Sequence, residues 1–259
     1  MTKEEFISKL KTAVDSFATL VSTKDGQWVV KGFIDVYRHI YTISTDTKVV
    51  SKIIELYIFP LLFKFAQDNG LQLELAKEQN FYPDITFKDE DGNLFAVDLK
   101  SSYRKSADRI NGMTLGAFTG YFRDRRSSKN VTYPYSSYKA NIVLGIIYSE
   151  NDAAIDERKL YTLDSLDDIV SVVKDITFFV QEKWKIAIDR PGSGNTKNIG
   201  SVSLIEDLID GNGPFSELGE AVFDDYWTNY LTSDMAKKAE LASPYYNNLE
   251  SYKKFRNIQ

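Results

Sequence analysis

The 259-residue chain has no cysteine. Disulfides, thiolate metal sites and cysteine nucleophiles are excluded together. It has one histidine, His39. A Ser-His-Asp triad would have to use that residue, and a zinc centre or a histidine-based nuclease needs more ligands than exist. His39 lies in Val36-Tyr37-Arg38-His39-Ile40-Tyr41, which alternates like a strand and reads as structural. No apolar run approaches the roughly 20 residues of a membrane span. The N-terminus lacks the basic-then-apolar pattern of a secretory signal, so a cytoplasmic location is expected and the sequon Asn130-Val131-Thr132 is fortuitous. An excess of positive charge is missing too. The formal net charge of −5 argues against a nonspecific DNA coat protein but leaves room for an enzyme with local basic clusters. Chemistry here must rest on carboxylates, lysine, hydroxyls and backbone groups.

What is present fits a soluble globular chain, with 43% hydrophobic and 27% charged residues. The length suits one large domain, expected over residues 1–259, with an N-terminal part of about 1–45. Thr2-Lys3-Glu4-Glu5 is a capping-box pattern, and Phe6, Leu10, Ala13, Val14 and Phe17 recur at helical spacing. Trp28 to Val30 and Phe33 to Tyr41 suggest extended segments. Thr45-Asp46-Thr47 offers an N-cap to a helix whose stripe runs from Val50 to Phe65, with a kink expected at Pro60. Glu55 falls at the border of that stripe, where it could look into a cleft. Asp84 to Lys100, interrupted by Lys88-Asp89-Glu90-Asp91-Gly92-Asn93, is a hairpin signature. Asn141–Tyr148, Ile176–Val180 and Trp184–Ile188 read as strands. Asp189 to Ser201 reads as a loop and Phe215 to Tyr230 as a helix.

In Leu94-Phe95-Ala96-Val97-Asp98-Leu99-Lys100, side chains alternate across the strand. Phe95, Val97 and Leu99 share one face. Asp98 and Lys100 share the other, roughly 7 Å apart at ~3.3 Å per residue. Asp84, on the preceding arm, could meet them. Two carboxylates beside an ammonium on rigid strands can hold Mg²⁺ and position a water. The lysine can stabilise charge on a phosphorus centre. This supplies phosphodiester hydrolysis without histidine. An Asp-x-Lys tripeptide alone equally marks a surface salt bridge.

Pro191-Gly192-Ser193-Gly194-Asn195-Thr196-Lys197-Asn198-Ile199-Gly200 admits three readings. As a phosphate loop it lacks the third glycine of Gly-x-Gly-x-x-Gly, because Lys197 occupies that place. As an ordinary flexible loop it needs no further account. As a base reader it offers Asn amides, a Thr methyl and glycines that let backbone approach the major groove.

Taken together, these segments resemble the EcoRV family of restriction endonucleases, within the PD-(D/E)xK nuclease superfamily. The resemblance is carried by Ser44-Thr45-Asp46-Thr47-Lys48-Val49 with Glu55, Gln79-Asn80-Phe81-Tyr82-Pro83-Asp84, and Val97-Asp98-Leu99-Lys100-Ser101-Ser102-Tyr103. It continues through Thr114-Leu115-Gly116, Lys129-Asn130, Gln181-Glu182-Lys183-Trp184, Gly192 to Ser201 and Asp225-Tyr226-Trp227. It implies an α/β (α+β) restriction-endonuclease-like fold with a central mixed β-sheet flanked by helices. It implies Mg²⁺ held by Asp84 and Asp98, Lys100 as the catalytic lysine and Glu55 as an accessory acidic residue. It implies base reading by Gly192, Ser193, Gly194, Asn195, Thr196 and Lys197, minor-groove contacts from Gln79 and Asn80, and a phosphate contact from Lys129. A homodimer built partly by the N-terminal region would cut palindromic double-stranded DNA, GATATC in the family, to blunt 5′-phosphate ends, alongside a cognate methyltransferase. Arg104, Lys105, Arg109, Arg123, Arg125 and Arg126 are further candidates for phosphate neutralisation. Lys197 departs from a family threonine, and Glu78 and Phe81 depart from a glutamine and a histidine. A repair or junction nuclease of the superfamily and a non-catalytic DNA-binding module are the competing readings.

Overall fold

The computed structural model describes residues 1–151, 156–192 and 197–258. Thr2 and Glu5 close a reciprocal capping box that starts α1 (Lys3–Asp15), and α2 (Phe17–Val21) follows after a break at Ser16. Two short strands, β1 (Gly32–Ile34) and β2 (Ile40–Thr42), are joined by a turn. The extended segment expected over Phe33–Tyr41 is therefore split. Asp35 causes the split, because its carboxylate accepts from the Tyr37 and His39 amides and ties down the His39 ring at 3.1 Å. His39 thus holds a turn. Asp46 caps α3 (Thr47–Asp68) by accepting from the Lys48 and Val49 amides, and Pro60 lies inside the helix without ending it.

The central sheet follows. β3 (Gln72–Leu75), β4 (Ile85–Lys88) and β5 (Leu94–Tyr103) form an antiparallel meander. After β6 (Thr114–Ala117), the chain returns as β7 (Tyr138–Glu150), which runs parallel to β5. β8 (Leu160–Tyr161) joins β1 and β2 in a small sheet, and β9 (Val173–Glu182) closes the central sheet against β7. The sheet order is β3-β4-β5-β7-β9, mixed in direction.

Lys183 to Ile186 forms one helical turn, α4, and not the strand expected over Trp184–Ile188. It leads into β10 (Ala187–Pro191), which pairs with β11 (Asn198–Ser201), and β11 pairs with β6. Within the stretch expected to be a loop from Asp189 to Ser201, Asp189 to Pro191 and Asn198 to Ser201 are therefore paired strands. Gly192 and Gly200 explain why its sequence looked like loop: a Cβ on Gly200 would lie 2.7 Å from the Gly192 Cα, so close strand approach demanded glycine. Ser193, Gly194, Asn195 and Thr196 lie outside the described residues. α5 (Ile205–Asp210), α6 (Glu220–Asn229), α7 (Ser233–Lys238) and α8 (Leu249–Arg256) complete the chain. Phe215–Leu218 forms turns before α6, shortening the helix expected there.

Both faces of the central sheet are covered. On one, Phe6, Leu10, Ile54, Ile58, Leu62 and Phe65 from the helices meet Phe87, Phe95, Val97 and Leu144 from the strands. The Phe6 and Phe95 rings stack at 4.3 Å. On the other, an aromatic core gathers Tyr82, Phe118, Phe122, Tyr135, Tyr226 and Trp227. Burial on two faces explains the nearly unbroken apolar runs of β5 and β7.

Candidate active site

β5 is buried through Asp98 and then loosens at Leu99, Lys100 and Ser101, where the strand emerges from the core into a cleft. The pleat does what alternation requires. Phe95 and Val97 enter the helix-side core, Ala96 enters the aromatic core, and Asp98 and Lys100 continue on the aromatic side. The β4–β5 pairing sets Ile85 opposite Val97, so Asp84 arrives beside Asp98 and Leu99. The Leu99 amide donates to Asp84 Oδ2 at 2.7 Å. Lys100 Nζ sits 2.7 Å from Asp98 Oδ2 and 3.8 Å from Asp84 Oδ2, and donates to the Leu99 carbonyl at 3.2 Å. The three residues expected to act together are in contact.

Their electrostatics are those of crowded like charges. Burial pushes the Asp84 carboxyl up to about 7, helped by the neighbouring Asp98 charge and their shared hydrogen bond, with Lys100 opposing. Burial pulls the Lys100 ammonium down, but Asp98, Asp84 and Glu55 outweigh it and hold the group above the ordinary lysine value. The carboxylate oxygens are hard donors, which is the donor type a hard divalent cation prefers. Among the described residues, no three acidic or histidine side chains converge on one metal position.

Glu55 faces this region from α3. It lines a cleft of about 550 Å³ together with Asp84, Gln79 and Lys52, and Lys52 engages its carboxylate at 2.8 Å. Ser51 Oγ and Ser101 Oγ, 2.6 Å apart, bind α3 to the end of β5. Gln79 and Asn80 are exposed in the β3–β4 connection, and Gln79 also borders the neighbouring polar cleft with Lys48, Lys52 and Ser101. Lys129 is exposed in a turn whose amide is held by Ser127 at 3.2 Å. Gly192 and Lys197 stand exposed at the end of the β10–β11 hairpin. That hairpin is bonded to the strand beside Lys100: Asn198 pairs with Ala117 of β6, and β6 Gly116 lines a further cavity together with Leu99, Lys100 and Ser101.

The basic candidates divide. Arg126 and Lys105 are exposed. Arg125 pairs with Asp224 at 2.7 Å and packs over Phe122 and Tyr135, Arg123 donates to the Tyr230 carbonyl, and Arg104 reaches Thr177 at 2.7 Å. These three arginines hold the fold together. Sequence reasoning gave no role to Lys183. Its ammonium is buried within about 6 Å of three aromatic rings, and Asp98 is the opposite charge acting on it most strongly. Its sequence neighbours, Glu182 and Trp184, carry no periodic signal that would have marked it as internal.

A mixed sheet that exposes a carboxylate pair and a lysine at the end of its central hairpin defines the class of a restriction-endonuclease-type deoxyribonuclease. The family model described as restriction endonuclease EcoRV matches residues 24–257, which spans every residue of the cleft named above. The type II restriction enzyme EcoRV of Escherichia coli is 35% identical over 227 residues, covering 86% of this chain and 89% of that one. Among solved structures, the NlaIV restriction endonuclease aligns over 98% of this chain and 96% of its own at 12% identity, with a TM-score of 0.42. The chain belongs to the EcoRV restriction endonuclease family and is a type II site-specific deoxyribonuclease acting on double-stranded DNA.

Proposed function

We propose that the enzyme is a Mg²⁺-dependent homodimer that cuts a palindrome, GATATC or a close variant, to blunt 5′-phosphate ends. The observation that carries the chemistry is the Lys100 ammonium set against two carboxylates, 2.7 and 3.8 Å away, at the mouth of the cleft. Asp84 and Asp98 would hold the cation, with Glu55 turning in from α3. Its exposed ion pair with Lys52 opposes that turn only weakly. A bound Mg²⁺ supplies Lewis acidity to a phosphate oxygen and makes a water more acidic. Lys100, kept charged by its neighbours, orients the attacking water or neutralises charge building on the phosphate. Asp98, buried and held by Lys100, fixes the geometry that the other groups share. The catalytic domain on this reading is the whole of residues 1–259.

Base reading belongs to Gly192 to Lys197, with Gln79 and Asn80 approaching from the minor groove and Lys129 meeting a phosphate. Lys197, replacing the family threonine, would alter contacts at the flank of the site. A two-fold dimer suits a palindrome, since each protomer reads one half-site and cuts one strand. The N-terminal part divides in this respect. α1 is committed to the core through Phe6, Leu10 and Val14, whereas Phe33 of β1, Tyr41 of β2 and Leu160 of β8 stand in register and exposed on one face of the small sheet. That apolar sheet face is the surface we assign to the second copy. A cognate methyltransferase and a cytoplasmic location complete the reading.

The test is incubation of the purified protein with plasmid DNA, with Mg²⁺ and with EDTA, followed by sequencing of the ends. Blunt cuts at GATATC in Mg²⁺ alone are expected. Cuts at another defined site would place the difference in the hairpin around Lys197, and absence of cutting with any divalent metal would overturn the Mg²⁺ reading. Asp98→Ala is expected to abolish cleavage in a folded protein, as judged by circular dichroism; retained cleavage would remove Asp98 from its role.

A further inference from the structure

The Lys183 side chain opens α4 and is only 2% exposed. Among the described residues, its ammonium finds no hydrogen-bond acceptor. The ring centroids of Tyr82, Phe122 and Tyr135 lie 5.2, 5.5 and 5.7 Å from it. Aromatic faces attract a cation but do not replace lost water. Burial accordingly pulls the group down to about 8, with Asp98 the strongest influence opposing the fall. Fold stability gives no reason for a charge at this place. An unpaired buried ammonium is costly, and an apolar chain of the same length would fill the same space.

Three connections give a reason. Asp98 projects to the same aromatic side of the sheet as Lys183 and, without forming an ion pair with it, is the opposite charge acting on it most strongly. Tyr82, whose ring packs on the ammonium, precedes Asp84 by two residues and is pinned by its hydroxyl to Asn141 at 2.7 Å. Gly116 of β6 closes the third side. A Cβ built there would lie 3.4 Å from Lys183 Nζ and 3.3 Å from the Tyr121 hydroxyl, and its φ of +97° also requires glycine. Gly116 lines a cavity together with Lys100, and its strand is bonded to the β10–β11 hairpin. Lys183 therefore stands where the arm of Asp84, the strand of Asp98 and the strand leading to the hairpin meet.

We propose that Lys183 is a positioning residue for strand cleavage: its buried ammonium, seated between the Tyr82 ring and Gly116, holds the arm that delivers Asp84 against the strand that leads to the hairpin. It touches no reacting atom. Its work is to keep the Asp84 carboxylate in register with the hairpin strand. This rests on the reading of Asp84, Asp98 and Lys100 as the cleavage group.

The test is Lys183→Met in the full chain, with melting temperature and steady-state cleavage of a cognate duplex in Mg²⁺ measured side by side. The charge costs the fold and serves the site, so the variant should melt at or above the parent temperature. Its kcat should fall roughly 10- to 100-fold, the usual cost of removing a group that orients ligating residues, with KM little changed. An unchanged kcat overturns the proposal. So does a protein that fails to fold, since the lysine would then be structural. If melting temperature and kcat fall together, Lys183→Arg decides: recovery of kcat with the restored charge supports positioning, and no recovery overturns it. Asp98→Ala, run in parallel, separates the two failures, because cleavage by that variant would sink the cleavage-group reading whatever Lys183→Met does.

Discussion

Replacing Asp84 by Asn should make the metal-free protein more stable at pH 8. In the folded chain this carboxyl is held up at about 7, from an ordinary 3.8, first by burial and then by the Asp98 charge. At ~1.36 kcal/mol per tenfold change in proton affinity, the unscreened cost of ionising it is about 4 kcal/mol. The side chain keeps 31% of its surface in solvent, so screening reduces this to about 1–2 kcal/mol. Asn removes the charge yet still offers an oxygen to the Leu99 amide. For a chain of this size the gain corresponds to roughly 2–8 °C in melting temperature. The pH dependence fixes the cause. Between pH 4 and 7 the folded protein binds a proton that the unfolded chain has released, so wild-type stability falls as pH rises through that window. The advantage of the Asn variant should therefore be full at pH 8 and less than half as large at pH 5. Calorimetry in EDTA at both values measures it. An equal difference at the two pH values, or a less stable variant at pH 8, would refute the account. Added Mg²⁺ should raise the wild-type melting temperature more than that of the variant.

Asp46→Ala removes a cap that accepts from two amides at the start of α3 and should cost about 0.5–2 kcal/mol in chemical denaturation. Phe95→Ala, emptying the space against the stacked Phe6 ring, should cost about 3–5 kcal/mol without altering the DNA surface. Phe33→Asp, on the exposed face of the small sheet, should shift sedimentation from dimer to monomer while the melting of the monomer changes little; a monomeric parent protein would refute that assignment.

Local chemistry made much of this molecule legible from its residues. The capping box at Thr2, the cap at Asp46 and the alternation that sets Asp98 and Lys100 on one face follow from neighbours within a few positions, and the structure has all three. The absence of cysteine and the single histidine confined the chemistry to oxygen donors and lysine. Where the reading failed, long-range contacts had decided. Gly192 and Gly200 looked like loop residues because the strand that needs them small is defined only when β10 meets β11. The intramolecular partners of Arg123 and Arg125, Tyr230 and Asp224, were not legible because they lie about a hundred positions away in sequence.

The sequence by itself determined which groups could do chemistry and which face of a strand each would occupy, because side-chain direction follows from the pleat. Only the tertiary structure decided their electrostatic state. Proton affinity depends on burial and on charges brought together through space, so the raised Asp84 carboxyl and the unpaired ammonium of Lys183 came into being when the sheet closed.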